Sequence, residues 1–320
     1  MKIGLFTLAF FLLAASSGAN GQSERDYPRK SVRILVSFSP GATVDITTRL
    51  ASKFLQERLK QPFIVENRPG AGGLIGAQEL ARATPDGYTL LACANNTFYA
   101  HLTTKNVNFD WRKDLTPIAR MVGGGLMLSV HASVPVRTLA EFVTYAKANP
   151  GKLNLADAGT LNPVTEEIKS MLGINLTSIT YKGGAPAFQA LMTGESQVQV
   201  LGLYQAIALE EQGKGRALVY TSIPRHPKMP HVPTLSESGF PGYTGGFWTG
   251  FVAPGGTPTG IVRTLNLAIN ALNKDPEMVK FYEKNGYDTY DDTPAQMQAT
   301  IENEVQRFTK VFANLGVMPQ

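Results

Sequence analysis

From Tyr27 onward the chain alternates between two hydrophobic periods, and this alternation constrains the fold more than any other feature. "SVRILVSF" is the continuous apolar run of a buried strand. "DITTRLASKFLQERL" follows at helical spacing, with Ile46, Leu50, Phe54 and Leu59 falling close to one face. "PFIVE", "GYTLLACA", "LMLSVHA", "LNLADA", "LTSITYK", "VQVLGL" and "RALVYTS" read as further strands. "GAQELARA", "TLAEFVTYAKAN", "PVTEEIKSMLG" and "APAFQALMTG" read as the helices among them. Such a series predicts an α/β protein of parallel sheets with helices on their faces.

Two stretches interrupt the series. "MVGGGLM", Met121 to Met127, sets three glycines in a row between elements, and Ile223 to Gly246 carries five prolines and little periodicity. Beyond them "FWTGFVAP" reads as a strand, and "PTGIVRTLNLAINALNKD" and "PAQMQATIENEVQRFTKVFANLG" read as helices. A chain that leaves one α/β unit for another and then returns predicts two domains around one cleft. The expected division is residues 27–124 with 235–320, and residues 125–234. Ligands of open α/β sheets sit at the carboxyl ends of strands, so two such edges would surround the cleft.

The opening "MKIGLFTLAFFLLAASSGANGQ" has one early lysine, a short apolar core and then small residues. The core falls short of the roughly 20 residues of a membrane span but suits a secretory signal peptide. Ser17 and Ala19 supply the small positions before cleavage. Residues 1–21 are expected to be removed, leaving an exported, soluble, periplasmic chain. Loss of Lys2 lowers the formal charge from +5 to +4 (5 − 1 = 4). The charges are dispersed, with no run of five basic residues, so nucleic acid is not an expected partner. Cys93 stands alone after "LLA" and reads as a small buried residue.

The chemistry-bearing residues show no enzyme signature. His101, His131, His226 and His231 form no H-E-x-x-H, and no G-x-S-x-G elbow occurs. The adjacent acids Glu166–Glu167 and Asp291–Asp292 diverge on a helix and read as solvated surface. No catalytic residue, metal or cofactor is expected.

The glycine-rich "ENRPGAGGLIGA", Glu66 to Ala77, invites a phosphate reading because it joins a strand to a helix. Gly70, Gly72 and Gly76 give G-x-G-x-x-x-G, however, and the next strand ends "LLACANN" without the acid that would hold a ribose. These glycines are assigned instead to a tight turn and close helix packing. "VSFSPGATVD", Val36 to Asp45, is better placed. The backbone N–H groups from Gly41 to Val44, with a helix dipole behind them, suit a carboxylate. The alternative there is an ordinary helix start capped by Thr43 or Asp45. "ADAGTLNPV", Ala156 to Val164, is the corresponding turn of the second domain.

Those loops belong to a longer pattern: "YPRKSVRILVSFSPGATVD", "VENRPGAGGLIGAQELARATPDGYTLL", "NPGKLN", "YKGGAPAFQALMTGESQVQV", "HVPTLSESGFPGY" and "FWTGFVAPGGTP". In this order they resemble the extracytoplasmic solute receptors of the tripartite tricarboxylate transporter family, also called Bug receptors. The resemblance implies a type II-like periplasmic binding fold, two domains each with a mostly parallel sheet flanked by helices. It implies a monomer that closes on a small organic acid and presents it to a membrane permease. Carried onto this chain, the first loop supplies Phe38, Ser39, Gly41, Ala42, Thr43 and Asp45, and the second Asp157, Ala158, Gly159, Thr160 and Asn162. Asn95, Asn96 and Thr97 end the third strand, and Lys182, Gly183 and Gly184 approach from the second domain.

The chain departs from the family pattern in three places. The first loop commonly reads P-G-G-G-T-D where this chain has "PGATVD". Asp157 replaces a small residue and would repel an anion unless it points away. After "QVQV" comes "LGLYQA", so Tyr204, with Phe98, is expected to make a more aromatic wall. The implied ligand is a dicarboxylate or an aromatic carboxylate. The alternatives are an exported sensor for a two-component system and a cleft enzyme.

Overall fold

In the computed structural model, which describes residues 26–105, 107–158, 163–181 and 184–316, β1 (Val32–Val36) is buried at four of five positions. A strand covered on both faces has that composition. The expected signal peptide lies outside the described residues. α1 (Thr43–Leu59) covers β1 through Val44, Thr47, Thr48, Ala51 and Leu55, while Ile46 is 43% exposed. The buried stripe is therefore rotated from the one expected. Small Thr and Ala side chains let the helix axis approach the sheet, and Leu50, Phe54 and Leu59 pack only at its flank.

β2 (Phe63–Asn67), α2 (Leu74–Ala81) and β3 (Thr89–Ala94) complete two parallel units, with Ile34 facing both Val65 and Leu90 across the ladders. The one-turn helices α3 (Asn96–Tyr99) and α4 (Trp111–Asp114) lead to β4 (Leu115–Gly125), an eleven-residue strand. The three glycines lie inside this strand, not in a gap between elements. After Leu126 the chain runs straight into β5 (Met127–His131) of a second sheet.

The second sheet follows with α5 (Leu139–Ala148), β6 (Asn154–Ala158), α6 (Pro163–Leu172), β7 (Thr177–Tyr181), α7 (Gly184–Thr193), β8 (Val198–Leu201), α8 (Leu203–Glu211) and β9 (Gly215–Tyr220). The chain then returns through β10 (Gly246–Pro254), α9 (Thr259–Leu272), α10 (Pro276–Lys284), β11 (Asp288–Thr289) and α11 (Pro294–Asn314). Strand orders are β11-β4-β10-β3-β1-β2 and β7-β6-β8-β5-β9. Both sheets are mixed. The βαβ units pair in parallel, whereas β10 runs antiparallel to β3 and β4, and β5 antiparallel to β8 and β9. A strand that arrives from the other sheet enters against the direction of the local units.

The two crossings are stitched together by Thr221, which is fully buried. Its Oγ1 donates to Gly245 O (2.6 Å) and accepts from Leu126 N–H (2.7 Å). Its own N–H donates to Leu126 O, and Gly245 N–H donates to Thr221 O. A single apolar cluster then runs from Leu35, Leu91 and Trp248, through Phe308 and Phe312 of α11, to Val164 and Ile168 of α6. The C-terminal helix thus belongs to the core between the sheets.

Candidate ligand-binding site

A cavity of ≈ 240 Å³ lies where the two sheets face each other. Asn95 and Asn96, just past β3, form one part of its wall, and Phe38 from the loop after β1 adds an aromatic face. The second layer contributes Pro163 and Val164 at the start of α6, and Leu126 comes from the crossing. Of the residues expected from sequence, the structure therefore brings Phe38, Asn95 and Asn96 together.

The amides are held differently. Asn95 N–H donates to Trp248 O (3.0 Å) and its Nδ2 to Gly246 O (3.1 Å), fixing it to β10. Asn96 Oδ1 is buried without a hydrogen-bond partner among the described residues, and a buried acceptor in that state is costly unless something fills it. Thr97 is also buried, but its hydroxyl packs behind Gly73 rather than in the cavity wall. Phe98 likewise turns into the core, against Trp111 and Trp248.

The loop before α1 is arranged differently from the expectation. Gly41, at φ +84°, gives its N–H to Asp45 Oδ2 (2.9 Å), and Ala42 N–H goes to Ser39 O (3.2 Å). Burial pushes the Asp45 carboxyl up, but hydrogen bonds from Arg49, Gly41 and Asn67 outweigh it and hold it below the usual range. Asp45 is thus turned inward as a loop brace. No side chain caps α1, so the N–H groups of Thr43 and Val44 are the ones left for an anion. Thr43 Oγ1 lies 3.3 Å from Tyr287 OH.

Asp157 also turns away from the strand end. Strand alternation puts it on the same face as Leu155, under α6. Burial, reinforced by Glu166 and opposed by Lys169, pushes its carboxyl up to about 7. Tyr204 makes no cavity wall either. Its hydroxyl meets Lys228 Nζ and Glu283 O on α10, because α8 starts beside the Gly286 turn. Gly184 stands exposed at the start of α7, and Ala158 ends β6. Gly159, Thr160, Asn162, Lys182 and Gly183 lie outside the described residues.

Two readings of polar residues need correction. Glu166 and Glu167 are buried, not solvated. They do diverge, but α6 is sandwiched, so Glu166 meets Lys169 (2.8 Å) and Glu167 meets Tyr243 OH (2.7 Å). Asp292 is buried too, paired with Arg120, while Asp291 stays exposed against Lys274.

Sequence reasoning also missed much of the wall. Ala71 and Gly72 of the glycine loop line the cavity, as do Phe247 on β10 and Phe312 on α11. Four successive residues, Gly70 to Gly73, have positive φ, and a Cβ on Gly76 would press Leu91 and Ser37 at 3.0 and 3.3 Å. The glycines thus provide the turn and the packing, and the loop they shape also forms a wall. Among the described residues no group of three or more His, Cys, Asp or Glu could hold a metal, and no helix is long and apolar enough to cross a membrane.

The family model described as "Tripartite tricarboxylate transporter family receptor" matches residues 47–317. A UPF0065 protein of Bordetella pertussis is 33% identical over 314 residues, covering 97% of this chain and 96% of that protein. An R. palustris protein solved with adipate superposes with a TM-score of 0.79 at 31% identity, covering 92% of this chain and 100% of that one. MatC from Rhodopseudomonas palustris, solved with bound malate, gives 0.77 at 29% identity over 89% and 99% of the chains. With two facing α/β sheets, a polar-and-aromatic cavity between them and these likenesses, the chain belongs to the receptor family of the tripartite tricarboxylate transporters, solute-binding proteins rather than enzymes.

Proposed function

We propose that the protein is a periplasmic receptor that captures a small carboxylate in the cavity between its sheets and presents it to a membrane permease of the tripartite tricarboxylate type. The observation that carries this reading is the cavity itself, with Asn95, Asn96 and the glycine loop on one side and Pro163 and Val164 on the other. The uncapped first turn of α1 supplies N–H donors and the positive end of a helix dipole nearby. Phe38, Phe247 and Phe312 offer apolar surface for the body of a dicarboxylate or aromatic acid. The adipate and malate held by two similar proteins support the acid class.

In this reading Ser39, Ala42, Ala158, Gly159, Thr160, Asn162, Lys182, Gly183 and Gly184 complete the carboxylate cradle. Residues 27–124 with 235–320 form one closing body, and residues 125–234 the other. The leader-like residues 1–21 support export. A thermal-shift screen over mono-, di- and aromatic carboxylates and acidic amino acids tests the proposal. At a hundredfold excess over Kd the right acid is expected to stabilise the fold by about 2.7 kcal/mol. A panel with no stabilising acid, or an acid chemically converted on incubation, defeats it.

A further inference from the structure

α10 ends in a turn that the second layer grips. Gly286, at φ +63°, donates its N–H to Glu283 O (3.3 Å), and Tyr287 donates its N–H to Tyr282 O (2.9 Å). This pair of bonds is the Schellman closure of a helix, and it fixes the residue that follows the glycine. From the second layer Lys228 Nζ donates to Glu283 O at 2.7 Å, and Tyr204 OH donates to the same oxygen at 3.3 Å. A cation there also meets the negative end of the helix dipole. The backbone of Tyr287 is thus placed before its side chain makes any contact.

That side chain reaches two parts of the site. Its ring meets the ring of Phe247 edge to face, with centroids 6.0 Å apart and planes at 80°, and Phe247 lines the ligand cavity. Its hydroxyl lies 3.3 Å from Thr43 Oγ1, and either oxygen can be the donor. Thr43 is the first residue of α1, whose leading N–H groups have no side-chain cap. The loop before it carries Phe38 into the same cavity wall.

We propose that Tyr287 is a positioning residue for the ligand site, its ring setting Phe247 in the cavity wall and its hydroxyl setting Thr43 at the start of α1. An edge-to-face pair restrains both rings. Each hydroxyl has one proton and can accept as well, so the pair uses one proton internally and keeps the other to offer an anion. Neither role requires Tyr287 to touch the ligand. The inference rests on the cavity being the ligand site.

Adipate serves as the probe. Tyr287→Phe keeps the ring and is expected to weaken adipate binding about fivefold, the weight of one hydrogen bond. Thr43→Val is expected to do the same, and the double variant to lose no more than either; additive losses overturn the proposal. Thr43→Ser keeps a hydroxyl and is expected to bind near the wild-type level, and a Ser variant as weak as the Val variant overturns it too. Tyr287→Leu also removes the ring and is expected to bind more weakly than Tyr287→Phe. In the ligand-free protein, NMR is expected to show the Thr43 and Val44 amide resonances moving in Tyr287→Phe. The Phe247 ring resonances are expected to move in Tyr287→Leu but not in Tyr287→Phe, and the opposite pattern overturns the proposal. If the wild-type protein ignores adipate, the ligand reading suffers, while the ligand-free spectra still decide the role of Tyr287.

Discussion

Arg307 on α11 and Glu167 on α6 form an ion pair between the two layers, Nε to Oε1 3.3 Å, with Glu167 buried and Arg307 about one-third exposed. Burial pushes the Glu167 carboxyl up, and Arg307 and the Tyr243 hydroxyl pull against that. The asymmetry in exposure decides what each substitution does.

Arg307→Ala leaves a buried carboxylate with only the Tyr243 hydroxyl, and is expected to destabilise by roughly 1–3 kcal/mol. Glu167→Gln leaves a guanidinium that water can reach and is expected to cost less. Urea unfolding of both variants checks the order; equal costs would mean that burial of Glu167 is not the governing term.

The contributions of Asp157 and Glu304 to stability are expected to fall as pH rises from about 5 towards 7. The folded-state values of Asp157 and Glu304 are both raised to about 7, in each case first by burial. Between the ordinary carboxylate range and that value the folded chain binds more protons than the unfolded chain. The slope is therefore negative, approaching about 1.4 kcal/mol per pH unit for each proton. Asp45 and Glu66 are held low and act in the opposite sense only below the ordinary carboxylate range, whereas burial lowers His101 and His226, which act in the opposite sense within the same window. Asp157→Asn and Glu304→Gln should each flatten the profile in chemical denaturation. An unchanged slope would exclude the residue concerned.

Neighbouring glycines in β4 should respond differently. A Cβ on Gly125 would strike the Tyr220 ring and lie 2.7 Å from Ser222 Cβ, whereas one on Gly124 meets nothing closer than 3.6 Å. Gly125→Ala is expected to cost roughly 1–3 kcal/mol by overpacking the crossing, and Gly124→Ala much less. Thermal melts separate the two, and a tolerated Gly125→Ala would show that the crossings can move apart.

Two loop glycines distinguish backbone strain from occlusion. Gly41 has φ +84° and open space where a methyl would stand, so Gly41→Ala should cost about 1 kcal/mol in stability and leave acid binding within a few-fold. Gly72 lines the cavity, and Gly72→Val should abolish binding of any acid found in the screen. Calorimetry that ranks Gly41→Ala as the worse binder would return the carboxylate to the Gly41 N–H.

Alternating strand and helix periods, the return of the chain after the proline-rich stretch and the burial of Cys93 were all legible in the residues. So were Asn95 and Asn96, because the end of a strand in an open sheet faces the cleft wherever that sheet packs. The two-residue strand β11 was missed, having too few residues for a period to register, and the nine-residue helices α8 and α10 were passed over although Met278, Phe281 and Tyr282 of α10 stand at helical spacing. Phe247 and Phe312 carry no local mark of a site. They look like ordinary core aromatics until the second layer is set against them.

Local pattern by itself determined the α/β class, the family and the strand ends at which a ligand would be sought. Those depend on periodicity and turn chemistry within a few residues. Only the tertiary structure decided that Asp45 and Asp157 point inward, that Glu166 and Glu167 are buried, and that "ENRPGAGGLIGA" forms part of the cavity wall. Side-chain direction and desolvation are set by what packs against each residue. For Glu167 and the cavity wall that is α11, more than a hundred residues away, which brings Arg307 and Phe312, whereas Asp45 is held by Arg49 and by Asn67 of β2.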